Sequence, residues 1–235
     1  MQLLILCGGL GTRLKPLTEE TPKPMLRFND KPFLEHLINY YSSQGIKDFI
    51  LSVGYLKESI INYFGDGKKF NVNITYSKET SPLGTAGALY KAKKLLKSPF
   101  LVVNGDTFME VDVKELIEQH KKKNALYTMC VKKTKRNQNT GCVVFDKKLK
   151  IKKFQSKEIT DGNSFVNTGI YLLDKKIFKL MDKNPSSLEK DIFPKIKEGF
   201  YAHQIKKGYL IDIGTFKTYN RLKREFKKLE NVINN

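Results

Sequence analysis

At 235 residues, with 40% hydrophobic and 11% aromatic residues, the chain can bury a substantial core, and its composition excludes a disordered or fibrous protein. No stretch approaches the roughly 18 apolar residues of a membrane span, and the opening MQLLILCGG lacks a basic segment and breaks at a glycine pair. A soluble cytoplasmic protein without a leader is therefore expected. The formal net charge of +19 favours anionic partners, but only Arg13, Arg27, Arg136, Arg221 and Arg224 are arginines. The lysines are spread over the whole length without a recognised nucleic-acid-binding pattern, which argues against a specific nucleic-acid site and fits the gathering of polyphosphate substrates.

Hydrophobic periodicity predicts a strand over Leu3 to Cys7, a helix over Pro32 to Gln44 and a second strand over Phe49 to Val53. A short helix over Glu58 to Phe64, a strand over Val72 to Tyr76, a helix over Thr85 to Leu96 and an apolar strand over Phe100 to Val103 follow. This alternation predicts an α/β fold with a mostly parallel sheet covered on both faces. After a helix over Val113 to Lys122 the pattern becomes richer in strands, at Leu126 to Val131, Cys142 to Phe145, Ile151 to Phe154 and Phe165 to Leu173. Helical stretches at Lys175 to Met181 and Leu188 to Lys197, strands at Tyr201 to Ile205 and Tyr209 to Ile213, and an amphipathic helix from Phe216 to about Glu230 complete the chain. No linker or internal repeat divides it, so one domain spanning 1–235 is expected, with two halves of different pattern, to about 112 and from 113.

Cys7, Cys130 and Cys142 are odd in number and widely spaced, which fits buried reduced thiols rather than disulfides or a zinc site. His36, His120 and His203 have no metal-ligand spacing and are expected to pack. The chemistry instead gathers in two segments. Gly8, Gly9 and Gly11, with Thr12, directly follow the first strand, where glycines let a backbone curl and aim N–H groups at phosphate. The loop lacks the lysine and hydroxyl of a P-loop, and Arg13 stands where a dinucleotide fingerprint would need its third glycine. A guanidinium there can clamp phosphate oxygens as a fork. Lys23 lies between Pro22 and Pro24, which stiffen the chain and deliver its ammonium to a defined place.

The run LCGGLGTRLKPLTEETPKPM over residues 6–25 closely resembles the signature of the nucleoside-diphosphate-sugar pyrophosphorylases, the sugar 1-phosphate nucleotidyltransferases. The resemblance continues through SPLGTAG at 81–87, NGDT at 104–107, NTG at 167–169 and DIGT at 212–215, and so spans nearly the whole chain. It implies a Rossmann-like nucleotidyltransferase fold, without the left-handed β-helix domain that some relatives append. It further implies that Leu6, Gly8, Gly9, Gly11, Thr12, Gly84, Thr85 and Gly87 bind the nucleotide and that Arg13 and Lys23 are catalytic. By the same resemblance Asp106 and Asp212 hold Mg²⁺, a cation that needs few protein oxygens beside phosphate and water. Gly141, Lys157, Asn167 and Glu189 would bind the sugar phosphate, although Ser156-Lys157-Glu158 departs from the usual Glu-Lys-Pro.

Chemistry of this kind consists of positioning and electrostatic stabilisation, with no covalent intermediate or general base. Glu79 and the SPLGTAG run after it look like the loop of guanylyltransferases and lack the glutamine of many uridylyl enzymes, so GTP is the expected nucleotide. The run LVVNGDTFMEVDV looks most like that of the D-glycero-α-D-manno-heptose 1-phosphate guanylyltransferases of bacterial surface-glycan synthesis. Mannose 1-phosphate guanylyl transfer and N-acetylmuramate 1-phosphate uridylyl transfer are the alternatives within the class. Outside it stand an inactive nucleotide-sugar-binding homologue and a nucleic-acid-binding protein; the first is disfavoured because Arg13, Lys23, Asp106 and Asp212 are all present. Neither a specific nucleic acid nor a membrane is expected as partner, and the chain is expected to be a monomer or homodimer.

Overall fold

The computed structural model describes residues 1–135, 142–156 and 163–234. Strand β1 (Gln2–Leu6) is followed by a two-residue antiparallel ribbon, β2 (Arg27–Phe28) with β3 (Lys31–Pro32), and then by helix α1 (Phe33–Ser43). Strand β4 (Asp48–Val53), helix α2 (Lys57–Phe64), strand β5 (Asn73–Lys78), helix α3 (Gly84–Ala92) and strand β6 (Phe100–Asn104) complete the first half. The second half runs through β7 (Thr107–Met109), α4 (Val113–Lys122), β8 (Tyr127–Lys135), β9 (Cys142–Phe145), β10 (Ile151–Ser156) and β11 (Asn163–Leu173). It ends with β12 (Phe200–Ile205), β13 (Leu210–Asp212) and α5 (Phe216–Asn234).

The main sheet has the order β10-β9-β11-β6-β1-β4-β5, with β8 joining β11 to β12. Followed through the pairings, β1, β4, β5, β6, β8, β9 and β12 point one way and only β10 and β11 the other, so the sheet is mostly parallel. Strands of both halves share it, because β11 lies antiparallel against β6. Successive side chains of a strand point to opposite faces. Leu3 and Ile5 thus join α1, α2, α4 and α5 in one core, whereas Leu4 joins α3 and the Leu188–Phe193 region in the other.

Several expected elements are present in a form or extent that periodicity does not specify. Leu188 to Lys197 is a π-helical turn over Leu188–Ile192 and a 3-10 turn over Phe193–Lys195, since Pro194 has no N–H to continue an α-helix. Lys175–Leu180 is likewise 3-10, capped by Asp174 accepting from Lys176 N–H at 2.8 Å. Helix α3 stops at Ala92, short of Leu96, and the segment expected as a strand at Tyr209 to Ile213 pairs with the unexpected β7 rather than with the main sheet. The three cysteines are buried and joined in no disulfide, and the three histidines are packing residues, hydrogen-bonded to Phe28 O, Thr128 Oγ1 and Gln119 Oε1. Among the described residues no helix is long and apolar enough to cross a membrane.

Candidate active site

In the central strand β1, Leu6 stands between Ser52 of β4 and Asn104 of β6 in register, so the next residues emerge at the carboxyl edge of three parallel strands. Open parallel sheets bind ligands at that edge. Cys7 N–H donates to Ser52 O at 2.8 Å and Gly105 N–H to Leu6 O at 3.0 Å, fixing where both loops leave the sheet. Gly11 has φ +67°, which an L side chain resists, and it opens a 3-10 turn over Thr12–Leu14. Its carbonyl accepts from Leu14 N–H at 2.9 Å and from the buried Thr18 hydroxyl at 3.0 Å.

The loop bounds a cavity of about 450 Å³, a size ordinary for small-molecule sites. Leu6, Gly8, Gly9, Gly11, Thr12 and Arg13 form one wall, Lys23 and Asp106 line it further, and Gly84 and Thr85 face them from the start of α3. Gly87 does not line this cavity. It backs α3 against the 184–185 segment, where a Cβ would stand 3.2 Å from Asn184 O. Cys7, Glu79 and Asn104 also line the cavity, although none of them was expected among the binding residues. Glu79 is buried, accepts from Ser52 Oγ at 3.0 Å, and lies so close to Gly8 that a Cβ there would meet Oε1 at 2.5 Å. Burial raises the Glu79 pKa against the opposing hydrogen bonds from Ser52 and Leu83. Burial, with the nearby Asp106 and Glu79, also pushes the Cys7 thiol far up, so it stays a neutral thiol rather than a nucleophile.

The charged groups meet at one mouth of the cavity. β13 pairs antiparallel with β7 so that Asp212 stands opposite Thr107, and Ile213 N–H donates to Asp106 O at 2.9 Å. This ribbon unites two carboxylates that are distant in the chain. Lys23 begins a 3-10 turn over Lys23–Met25 between its two prolines, and its Nζ donates to Asp106 Oδ2 at 2.8 Å. The Lys23 side chain is 12% exposed and that of Asp106 28%. Asp212 is exposed and stands beside the cavity rather than among the residues that line it, yet the protein around it, and secondarily the Asp106 carboxylate, raise its pKa. The Gly214 N–H bonded to its Oδ1, together with Lys23 and Arg13, acts in the opposite direction. Arg13 reaches the same place, for a Cβ on Gly214 would stand 3.0 Å from its Nη2.

Two carboxylates forced together, each with a cation at hand, form a donor set that fits Mg²⁺ completed by phosphate and water. Among the described residues no cluster of three or more His, Cys, Asp or Glu residues offers a fuller protein cage. On the other flank, Asn167 and Glu189 are brought into one network through Tyr171, which the sequence marked only as a strand residue. Thr85 Oγ1 joins it by donating to Glu189 Oε2 at 2.9 Å. Gly141 and Lys157 lie outside the described residues.

The profile of the family described as Nucleotidyl transferase matches residues 2–228. The chain is 38% identical over 226 residues to the mannose-1-phosphate guanyltransferase of Yarrowia lipolytica, covering 93% of this chain and 62% of that one. It is 37% identical over 227 residues to mannose-1-phosphate guanylyltransferase 1 of Arabidopsis thaliana, with 93% and 63% covered. The chain therefore spans under two thirds of the length of these curated relatives. Among solved structures it is similar to HddC from Yersinia pseudotuberculosis, with a TM-score of 0.84, 33% identity, and 96% of this chain and 99% of that chain covered. The HddC complex with GMP-PN has a TM-score of 0.83.

Proposed function

The chain belongs to the nucleotidyl transferase family, and from that premise we propose that it transfers a guanylyl group from GTP to a sugar 1-phosphate, releasing pyrophosphate. The carrying observation is the meeting of Lys23, Arg13, Asp106 and Asp212 at the mouth of a glycine-loop cavity. In this reading an anionic oxygen of the sugar 1-phosphate attacks the α-phosphorus of the triphosphate. The new P–O bond forms as the bond from the α-phosphorus to the bridging oxygen of the β-phosphate breaks, and pyrophosphate departs with that electron pair. The attacking oxygen is already ionised at neutral pH, so no general base is required.

Backbone N–H groups of Gly8 to Thr12 and the Arg13 fork hold triphosphate oxygens in line, while the Lys23 ammonium offsets the charge that grows on them. Asp106 and Asp212 would hold Mg²⁺, which when bound supplies Lewis-acid neutralisation of phosphate charge. The nucleotide preference rests on Glu79. A carboxylate is a pure acceptor, and the Watson–Crick edge of guanine presents two adjacent donors, N1–H and the 2-amino group. Uracil and thymine present one donor between two acceptors, which suits an amide better. The guanine-nucleotide complex of HddC and the names of the curated relatives support the same choice.

For the sugar, our reading is D-glycero-α-D-manno-heptose 1-phosphate, supported by the LVVNGDTFMEVDV run and the likeness to HddC. Mannose 1-phosphate is the second reading, supported by the curated relatives. The two share the manno ring. The test is pyrophosphate release from GTP, UTP, dTTP, ATP and CTP, each paired with the 1-phosphates of this heptose, mannose, glucose and N-acetylmuramic acid. Turnover confined to GTP with manno sugars is expected, and turnover with UTP or dTTP but not GTP would overturn the assignment.

A further inference from the structure

Strand β11 is irregular where it passes the cleft. Asn167 stands opposite Val131 of β8 and Tyr171 opposite Met129, so four steps on β11 cover two on its neighbour. Gly169, at φ +75°, lies inside this bulge. The bulge brings Asn167 to the hydroxyl of Tyr171, and Asn167 Nδ2 donates to Tyr171 Oη at 2.6 Å. Tyr171 is fully buried and donates to Glu189 Oε1 at 2.9 Å. Glu189 Oε2 accepts from Thr85 Oγ1 and from Ser187 Oγ, both at 2.9 Å.

The polarity of this chain follows from its end group. A carboxylate only accepts and a phenol has one proton, so the Tyr171 proton points at Glu189 and its oxygen accepts from Asn167. The Asn167 amide is thereby oriented. Its NH₂ faces Tyr171 and its Oδ1 accepts from Gly169 N–H at 2.9 Å, and a flipped amide would lose both bonds. One N–H and one lone pair of Asn167 remain for a ligand. Glu189, with three donors already on it, is engaged as the anchor of the chain.

We propose that Tyr171 is a positioning residue for sugar recognition: it converts the fixed charge of Glu189 into a fixed donor and acceptor polarity of Asn167, which reads a hydroxyl of the sugar 1-phosphate. This rests on the sugar 1-phosphate reading above. It assigns Asn167 as the group that meets the sugar, and Tyr171 and Glu189 as groups that act through it. The relay also ties the sugar side to Thr85 at the start of α3, so the wall of the nucleotide cavity and the sugar reader share one hydrogen-bonded frame.

The test is steady-state kinetics with GTP and mannose 1-phosphate as the probe, on wild type, Tyr171→Phe, Asn167→Ala and the double variant, each with a melting curve. Tyr171→Phe is expected to raise KM for mannose 1-phosphate about 2- to 13-fold, the range for one lost neutral hydrogen bond, and to leave KM for GTP unchanged. In the Asn167→Ala background it should add nothing, because no amide is left to orient. Should Tyr171→Phe fold poorly, Glu189→Ala, on a partly exposed turn, should raise the sugar KM in the same way and add nothing to it beside Asn167→Ala. A sugar KM unchanged by Tyr171→Phe, or an effect that adds in full to Asn167→Ala, would overturn the relay. Wild-type turnover tests the function itself, whereas the ratios among variants test only the relay.

Discussion

Lys23→Ala removes a single ammonium whose resting contact is visible, a bond of 2.8 Å to Asp106 in a cleft where the lysine is 12% exposed. In the resting protein the loss is that of one charged hydrogen bond. Such a bond is worth about 1.5–3 kcal/mol when well sheltered, and water reaching the more exposed Asp106 brings the expected cost down to about 1 kcal/mol. For a chain of this size that lowers Tm by about 2–4 °C. In the transition state the same ammonium faces growing phosphate charge, and removing one preorganised donor of that kind costs about 2.7–4 kcal/mol. Because each 1.36 kcal/mol is about tenfold in rate, kcat should fall by about 10² to 10³. The effect should appear in kcat more than in KM for GTP, since the contact tightens as the reaction proceeds. Lys121→Ala, on the exposed side of α4, is the control and should be nearly silent in both rate and Tm. Pyrophosphate release under saturating GTP, with a circular-dichroism melt of each variant, measures both quantities. If Lys23→Ala melts lower yet turns over like Lys121→Ala, Lys23 is only the counter-ion of Asp106 and its catalytic assignment fails.

Asp106→Asn and Asp212→Asn should each abolish Mg²⁺-dependent turnover. The raised Asp212 pKa shows that its charge is costly in the resting fold, so Asp212→Asn should melt no lower than wild type; full rates for both at saturating Mg²⁺ would rule out the two-aspartate site. Arg13→Lys keeps a charge but loses the fork, and a fall of about tenfold or more in kcat/KM for GTP is expected by steady-state kinetics. Glu79 has its pKa raised by burial, so as pH falls it takes up a proton sooner than an ordinary glutamate and loses an acceptor for guanine. KM for GTP should therefore rise in mildly acidic buffer, and Glu79→Gln should bind GTP more weakly at neutral pH without that rise; a pH profile shared by both enzymes would exclude Glu79 as the base reader.

Much of this protein was readable along the chain because the information is local. The consecutive apolar residues Leu3, Leu4 and Ile5 require a strand covered on both faces, and the glycines after it, with the prolines around Lys23, limit the backbone wherever they stand. Of the residues expected to bind nucleotide, all but Gly87 line one cavity; Gly87 does not, since a helix glycine facing a cavity and one packed on a neighbouring segment have the same local sequence. Past Leu188 the expected helical stretch is present, but its division into π and 3-10 turns is not legible in apolar spacing, which does not register how one proline alters hydrogen bonding. What only the tertiary structure decided are meetings across long separations. The β7–β13 ribbon sets Asp212 beside Asp106 and Arg13, the close approach of Gly8 makes Glu79 a wall of the cavity, and the bulge in β11 turns Tyr171 into the link between Asn167 and Glu189. Sequence fixes the chemistry each side chain carries and the local curl of its backbone; a shared site also depends on strand register and loop closure, which depend on the packing of the whole chain.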